Sequence, residues 1–327
     1  HDGARRDFER ALEIWPDSER AADGLIDVLS IDSSWSLLVD RLSQAASSAG
    51  SVERASALWL SVALIQIDEL GQTPTAIRTL QRIIKIHPRH LEALERLAAL
   101  FESTESWHEA AATMEQLLAA APDNPRVKRI LVNVSRLYRE RLETPEKALR
   151  HVEAALAVDP SDPVALRELS LVHEGTGQLS ASLAVARHCL EVAPDSARSE
   201  ALLRVGQLEH GAGNQEAAKT ALREAVVLDG ASSEAARALE SLCETPDDWH
   251  ELASALDAHQ PADEEARVAA GLEVARILAD RCGDEAAASE ALHARLRDGG
   301  NSPELRRELA SRLRRQGDVN SAVEQLQ

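Results

Sequence analysis

Residues 91–122 read LEALERLAALFESTESWHEAAATMEQLLAAAP and contain two apolar, periodic stretches joined by a short polar turn. In the second stretch, Ala110, Met114 and Leu117 are spaced by four and three residues, so a helix places them on one face. Pro122 follows closely and cannot continue a helix. This stretch therefore predicts two consecutive helices, the second of which ends just before Pro122.

The same spacing, small-x-x-x-large-x-x-small-x-x-x-x-Pro, recurs along the chain. Ten copies, counting one with Gly in place of Pro and four weaker ones, begin at Ala4, Leu38, Ala76, Ala110, Ala148, Ser182, Ala218, Leu252, Ala288 and Ala322. The intervals between successive copies are nearly equal. Nine intervals this regular do not arise by chance, so the chain is predicted to be built from repeats.

Each copy follows another apolar stretch of helical spacing, as Leu94, Leu97 and Phe101 do before the copy at Ala110. The repeating unit is therefore predicted to be a pair of antiparallel helices. This unit and its period resemble the tetratricopeptide repeat (TPR) family, whose period is about 34 residues, and the resemblance covers essentially the whole chain. One copy departs from the family pattern, because Glu240 stands where the first helix should carry a small residue.

The resemblance implies an all-α fold, a right-handed solenoid of about nine antiparallel helix pairs. We expect one continuous solenoid over residues 1–327, with partial repeats at residues 1–16 and 302–327. Solenoids usually close with polar capping helices, and neither end shows one. We interpret the chain as a slice of a longer array, and the alternative is that its ends pack on a partner or stack on a second copy.

Three tryptophans suggest a longer repeat superimposed on the first. Trp35, Trp107 and Trp249 each stand three residues before the start of a copy, and two and then four repeats separate them. The ancestral unit is therefore predicted to be two repeats, with longer first helices over residues 52–70 and 126–142. In the TPR family this position packs between the two helices. We expect core indoles, with stacking on bases or sugars as the alternative.

Composition narrows the function. Of 327 residues, 44% are hydrophobic and 2% aromatic, which disfavours both disorder and an all-β fold. The net charge of −19 opposes binding to nucleic acids or anionic membranes. No apolar run approaches the ~20 residues that span a bilayer. We expect no nucleic-acid partner and no direct membrane insertion by this segment.

Two short motifs resemble ligand sites but have simpler interpretations. The glycines of residues 175–177 and 211–213 fall where a first helix turns into a second, and neither pair follows a strand. His87 and His90 have a spacing that suits a metal, but no third ligand stands beside them. We interpret the glycines as turns and the histidines as a surface loop, and predict no metal and no cofactor.

The cysteines offer no nucleophile. Cys189, Cys243 and Cys282 are too widely spaced for a metal pair, and their odd number gives no disulfide framework. Cys189 occupies a core position of its repeat, and a helix turns it about 100° away from its neighbour His188. Structural burial is the favoured interpretation, so the chain is predicted not to be an enzyme.

Charge is distributed unevenly. Residues 195–265 hold sixteen acidic and five basic side chains, whereas residues 126–150 hold three acidic and eight basic ones. Residues 73–91 contain four cations and no acid. One interpretation is a set of solvated helical faces, and the other is a basic, partner-facing patch between acidic flanks.

Family resemblance implies that the first helix of each pair lines a concave groove. On alignment to the family pattern, Arg167, Arg237 and Arg307 take the same groove-facing position in alternate repeats. Such arginines hold partner carboxylates in bidentate fashion. The alternative, equally weighted, is pairing with glutamates one turn away in the same repeat. The Lys and Asn set that grips C-terminal carboxylates in some family members is absent, which disfavours a chaperone-tail receptor.

The sequence therefore predicts a protein–protein interaction scaffold or adaptor segment that binds one or more proteins or peptides. One alternative is the regulatory or sensor arm of an enzyme whose catalytic domain lies outside this chain. Another is a structural subunit of a multi-protein machine in the cell envelope. A cytoplasmic location is favoured over a periplasmic one, which stays open because a signal peptide would lie upstream.

Overall fold

A computed structural model describes residues 2–31, 33–230, 233–259, 261, 263–297 and 302–325. Within these ranges the chain forms nineteen α-helices and no β-strand, which confirms the all-α prediction. It divides into two compact units, His1–Pro160 and Ser161–Gln327, called unit 1 and unit 2. The single continuous solenoid over residues 1–327 stays a prediction.

Unit 1 contains nine helices, in which odd-numbered members are the second helices of the pairs. They are α1 (Asp2–Ile14), α2 (Glu19–Ile31), α3 (Trp35–Ser48), α4 (Val52–Asp68), α5 (Thr73–Ile86), α6 (Leu91–Ser103), α7 (Trp107–Ala120), α8 (Val127–Glu140) and α9 (Pro145–Val158). The most extensive packing is within the pairs α4/α5, α6/α7 and α8/α9.

Unit 2 continues the alternation in its described residues. Its helices are α10 (Pro163–Gly175), α11 (Leu179–Val192), α12 (Asp195–Gly211), α13 (Gln215–Asp229), α14 (Glu234–Ser241), α15 (Pro246–Ala258), α16 (Glu264–Asp280), α17 (Glu285–Arg297), α18 (Pro303–Arg315) and α19 (Val319–Glu324). Here the pairs α10/α11, α12/α13 and α16/α17 pack most extensively.

The core of each pair is built on the repeating position. Nine of the ten starting residues are at most 2% exposed, among them Ala76, Ala110 and Ala148. Small side chains here let the first helix approach closely, and the larger residue four positions on fills the space beside it. Ala4 is the exception and is exposed, because none of the described helices precedes α1 to cover it.

Proline sets where second helices end. The helices α1, α5, α7, α9 and α11 each end two residues before a proline. The residue between is not helical in α5, α7, α9 and α11, for example with φ −141° and ψ 72° at Ala121. The ring of a proline disfavours helical geometry at the residue before it, so the last helical residue stands two positions before the proline. The helix ends expected near Pro16, Pro88, Pro122, Pro160 and Pro194 are confirmed.

First helices alternate in length, which supports a two-repeat unit. The helices α4, α12 and α16 have 17 residues each, whereas α2, α6, α10 and α18 have 13. The expectation of a long helix over residues 126–142 is wrong, because α8 has 14 residues and starts only at Val127 after a turn that follows Pro125.

The degenerate repeat that contains Glu240 has the shortest first helix of unit 2, α14, with eight residues. A direct link between α13 and α15 accompanies it, because the Lys219 ammonium lies 2.5 Å from the Asp248 carboxylate. The side chains of these two residues are 13% and 12% exposed. The contact with Lys219, followed by hydrogen bonds from the backbone N–H groups of Thr245 and Glu244, holds the pKa of Asp248 well below its usual range.

The expectation of core indoles holds only in part, although Trp249 does pack against the core of unit 2. Trp35, Trp107 and Trp249 are only partly buried. An arginine lies over two of these rings: Arg141 is 4.8 Å from the centre of the Trp107 ring, and Arg281 is 4.7 Å from that of Trp249. Each arginine directly follows the first helix of the next pair. A cation is attracted to the face of an indole ring, so Trp107 and Trp249 help to hold neighbouring repeats together.

Candidate functional site

Helices α10, α11 and α12 of unit 2 form a cleft of about 400 Å³, called here the unit 2 cleft. Its floor is apolar and includes Val164, Leu171, Ala186, Cys189 and Leu203. Val164 is 55% exposed and so presents apolar surface to solvent at this cleft. A volume of this size accommodates one or two side chains of a bound segment.

Charged side chains form the rim of the cleft. The Arg167 guanidinium of α10 lies 2.6 Å from the Glu200 carboxylate of α12, and both side chains are more than half exposed. A second ion pair joins the same two helices with the charges exchanged, because Arg204 of α12 lies 2.5 Å from Glu174 of α10. The rim therefore presents both signs of charge above an apolar floor.

The three candidate arginines lie in different surroundings. Arg167 lines the unit 2 cleft, whereas Arg237 of α14 and Arg307 of α18 do not. Both of these are exposed and make no ion pair with any described residue. Arg167 is paired with Glu200 of the next first helix, whereas Glu174 of its own helix binds Arg204.

Sequence comparison identifies the repeats. Residues 69–133, which span α5, α6, α7 and the start of α8, match the family model for the tetratricopeptide repeat. Residues 69–133 therefore carry TPRs. The matched segment includes the stretch from Leu91 to Pro122 in which the spacing is clearest.

Several solved structures have similar helical arrangements. MamA from Desulfovibrio magneticus RS-1 is 16% identical, with 53% of this chain and 94% of that chain covered and a TM-score of 0.45. A TPR protein from Parabacteroides merdae ATCC 43184 is 18% identical, with coverage of 72% and 90% and a TM-score of 0.43. YrrB, described as a TPR protein with an unusual peptide-binding site, is 18% identical, with coverage of 52% and 84% and a TM-score of 0.43. No curated protein matches the sequence.

Two cysteines of unit 2 have thiols whose surroundings favour the neutral form. Cys189 is buried in the floor of the cleft, and its Sγ donates to the carbonyl oxygen of Pro163 at 3.5 Å. Burial raises the pKa of this thiol, and the nearby Arg167 only partly opposes that shift. Burial also raises the pKa of Cys243 to about 11. Neutral thiols are poor nucleophiles, so the packing interpretation is supported.

The two histidines with metal-like spacing lie at a TPR junction. His90 caps α6, because its Nδ1 accepts from the backbone N–H of Ala93 at 3.2 Å. Burial, followed by the neighbouring His87, lowers the pKa of His90, a shift in the direction of the neutral ring that can accept this hydrogen bond. Within the described ranges no group of three or more His, Cys, Asp or Glu side chains is arranged to hold a metal.

The glycine motifs are turns, as predicted. Gly177 and Gly213 have φ values of +73° and +81°, which glycine adopts without strain. Each lies in the turn between the two helices of a pair. Among the described helices, none has the length and apolar character required to cross a bilayer.

A polar cluster at the α7–α8–α9 contact has no counterpart in the sequence predictions. The Tyr138 hydroxyl donates to Glu115 at 2.9 Å, and His151 Nε2 lies 3.1 Å from the same carboxylate oxygen. The Lys147 ammonium lies 4.8 Å from the centre of the Tyr138 ring. These residues are up to 36 residues apart in sequence, and no local motif signals that they meet.

Tyr138 provides a pH-dependent test of this cluster. Burial, followed by the hydrogen bond to Glu115, raises the pKa of Tyr138 to about 12. The folded state holds the Tyr138 proton more tightly than the unfolded state does. Tyr138 therefore makes its full contribution to the free energy of unfolding below about pH 10. We expect this contribution, about 2–3 kcal/mol, to be lost as the pH rises from about 10 to about 12.

The measurement is direct because Tyr138 is the only tyrosine. The near-ultraviolet absorption of the phenolate should titrate close to pH 12 in the native protein. The free energy of unfolding should fall more steeply with pH in the wild type than in Tyr138→Phe over the same interval. A midpoint near pH 10 in the folded protein would contradict the buried hydrogen bond.

Proposed function

We propose that this chain is a protein–protein interaction scaffold or adaptor segment, and that the unit 2 cleft binds a peptide or helix of its partner. The observation that carries the proposal is the combination of an apolar floor, in which Val164 is exposed, with the exposed Arg167–Glu200 ion pair at its rim. TPRs are generally interaction modules without catalytic activity, and the presence of TPRs in residues 69–133 supports this class of function.

Apolar contacts supply the affinity in this proposal. Val164, Leu171 and Leu203 present apolar surface that a partner side chain removes from water. Burial of such surface contributes about 25 cal/mol per Å² before the costs of association are subtracted. One apolar anchor of the partner therefore sits in the floor, and polar contacts around it determine its orientation.

Arg167 supplies specificity. Its ion pair with Glu200 is exposed, and exposed pairs contribute only about 0–1 kcal/mol. A partner carboxylate can therefore replace Glu200 at little cost. A bidentate contact that is partly desolvated contributes about 1.5–3 kcal/mol. Arg237 and Arg307 extend the contact along alternate repeats in this proposal, and Arg237 is the weakest because residues 195–265 are strongly acidic.

The floor is tested with two matched substitutions. Val164 and Val158 are both largely exposed, at 55% and 61%, and lie in α10 and α9 respectively. Val164→Asp should weaken binding of a partner captured with the full chain by at least about tenfold, because it places a charge in the apolar floor and competes with the partner for Arg167. Val158→Asp introduces the same charge at a valine that does not line the cleft, and should bind as the wild type, as judged by calorimetry.

The arginines are tested with the same partner. The double variant Arg167→Glu/Arg307→Glu should abolish binding if the partner is acidic. Intact or tighter binding would instead indicate a basic partner on the acidic residues of unit 2. If Val164→Asp and the arginine variant both bind with unchanged affinity and have unchanged circular dichroism, the cleft is not the binding site.

A further inference from the structure

The exposed face of α5 in unit 1 carries a row of cations. Arg78, Arg82 and Lys85 are spaced by four and three residues, so they lie on one side of the helix. All three are exposed, and Arg89 in the turn after α5 extends the row. We call these four residues the α5 basic row. From Arg78 to Lys85 it covers about 10 Å of helix.

None of these four cations forms an ion pair with a described residue. Some other cations of unit 1 do form ion pairs, since Arg41, Arg126 and Lys128 each bind a carboxylate of another segment. The chain has 55 acidic residues and 36 basic ones, so acidic partners are plentiful. The four cations of the row therefore do not hold the fold together through ion pairs.

The row is specific to one repeat. No other second helix carries cations at all three positions that correspond to Arg78, Arg82 and Lys85. The corresponding residues are Ala112, Gln116 and Ala119 in α7, and Thr220, Glu224 and Val227 in α13. Packing of the TPR thus does not require cations here, and solubility does not require them in a chain of net charge −19.

Arg82 is held in place. Its guanidinium carbon lies 4.0 Å from the centre of the Trp59 ring, and Trp59 is almost fully buried in α4. A cation over an indole face can still donate its N–H groups to other acceptors. A planar cation already fixed in position loses little conformational entropy when it binds a carboxylate.

We propose that the α5 basic row is a docking surface for an acidic helix of a partner protein, with carboxylates spaced along one helical face. The spacing of the row favours this occupant over a nucleic acid, because a long polyanion would extend beyond the few cations into the acidic remainder of the molecule. This surface lies in unit 1 and is separate from the unit 2 cleft.

The test uses the full chain and a labelled, alanine-rich helical peptide with glutamates at i, i+4, i+7 and i+11. Fluorescence anisotropy should show binding that weakens as salt is added, because exposed ion pairs are screened. The variant Arg78→Glu/Arg82→Glu/Lys85→Glu should weaken binding by at least about tenfold. Arg82→Lys keeps the charge but loses the planar fork, so it should weaken binding by about two- to fivefold.

The matched control reverses three exposed arginines of α1 and α2, namely Arg6, Arg10 and Arg20. It changes the net charge of unit 1 by the same amount and should bind the peptide as the wild type. A second peptide of identical composition, with its glutamates distributed around the helix, should bind at least several-fold more weakly.

Four results would overturn the proposal. The first is wild-type affinity in the α5 variant with unchanged circular dichroism, and the second is an equal loss of affinity in the control variant. The third is tighter binding of a single-stranded oligonucleotide of equal charge, which would indicate a polyanion site. The fourth is self-association of the chain that the α5 variant abolishes, which would show the occupant to be a second copy.

Discussion

Leu222→Ala is expected to lower the free energy of unfolding of unit 2 by about 3–5 kcal/mol. Leu222 is 1% exposed and occupies the large position of its repeat, four residues after Ala218. It packs against Gly206 of α12, where the absence of a side chain leaves room for it. Truncation leaves a cavity that neighbouring helices cannot fill, and the loss includes the transfer term and the cavity term.

Amide hydrogen exchange is the appropriate measurement, because loss of one repeat opens the array locally. Exchange should accelerate by at least about a hundredfold in α12 and α13, and less in unit 1. An equal increase throughout the chain would contradict local opening. Unchanged protection in α12 and α13 would show that Leu222 is not a core residue.

Gly206 makes the test sharper. A methyl group there would lie 2.6 Å from the Leu222 Cγ, closer than atoms approach. Gly206→Ala should therefore destabilise the wild type by about 1–3 kcal/mol, although alanine favours a helix. With Leu222→Ala the space is open, so the same change should stabilise by about 0.5–1 kcal/mol. This change of sign identifies the close approach as the cause.

Removal of both carboxylates that bind Arg312 should cost about 3–5 kcal/mol. The Arg312 side chain is 4% exposed, with one guanidinium nitrogen 3.1 Å from Glu285 and another 2.8 Å from Glu308. Its Nε is buried and has no hydrogen-bond partner among the described residues. In the variant Glu285→Ala/Glu308→Ala, the buried cation loses both partners but remains charged.

The control is to remove the cation as well. Arg312→Met in the same double variant should recover most of the lost stability, because no unpaired charge is then buried. Hydrogen exchange in α17 and α18 reports both steps. If the double variant is as stable as the wild type, the cation is solvated in solution and the buried ion pairs do not form.

The repeat positions were predictable from the sequence because they depend on local chemistry. Ala110, Met114 and Leu117 are buried as their spacing requires, and α7 ends at Ala120 because Pro122 follows. Backbone geometry and helical periodicity act over a few residues, so single-chain patterns reveal them.

Side-chain partners from different repeats were not predictable. Arg167 is bound to Glu200 in the first helix of the next repeat, and neither residue has a local pattern that names the other. Trp107 has the expected repeat position, yet the Arg141 cation over its ring compensates for incomplete burial. Arg295 occupies a core position expected to hold a small residue, and is buried because it donates to the Asp257 side chain and backbone. Such contacts depend on the rotation between successive repeats, and the period of the sequence does not determine this rotation.

Packing between helices that are adjacent or next but one in the chain has a kinetic consequence. Contacts that join residues close in sequence require little loop-closure entropy before they form, and domains dominated by them fold in microseconds to milliseconds. Synthesis delivers about 5–20 residues per second. Within each unit, a helix pair therefore has time to collapse onto its predecessor while the next is still being made, so the order of assembly follows translation from the amino terminus.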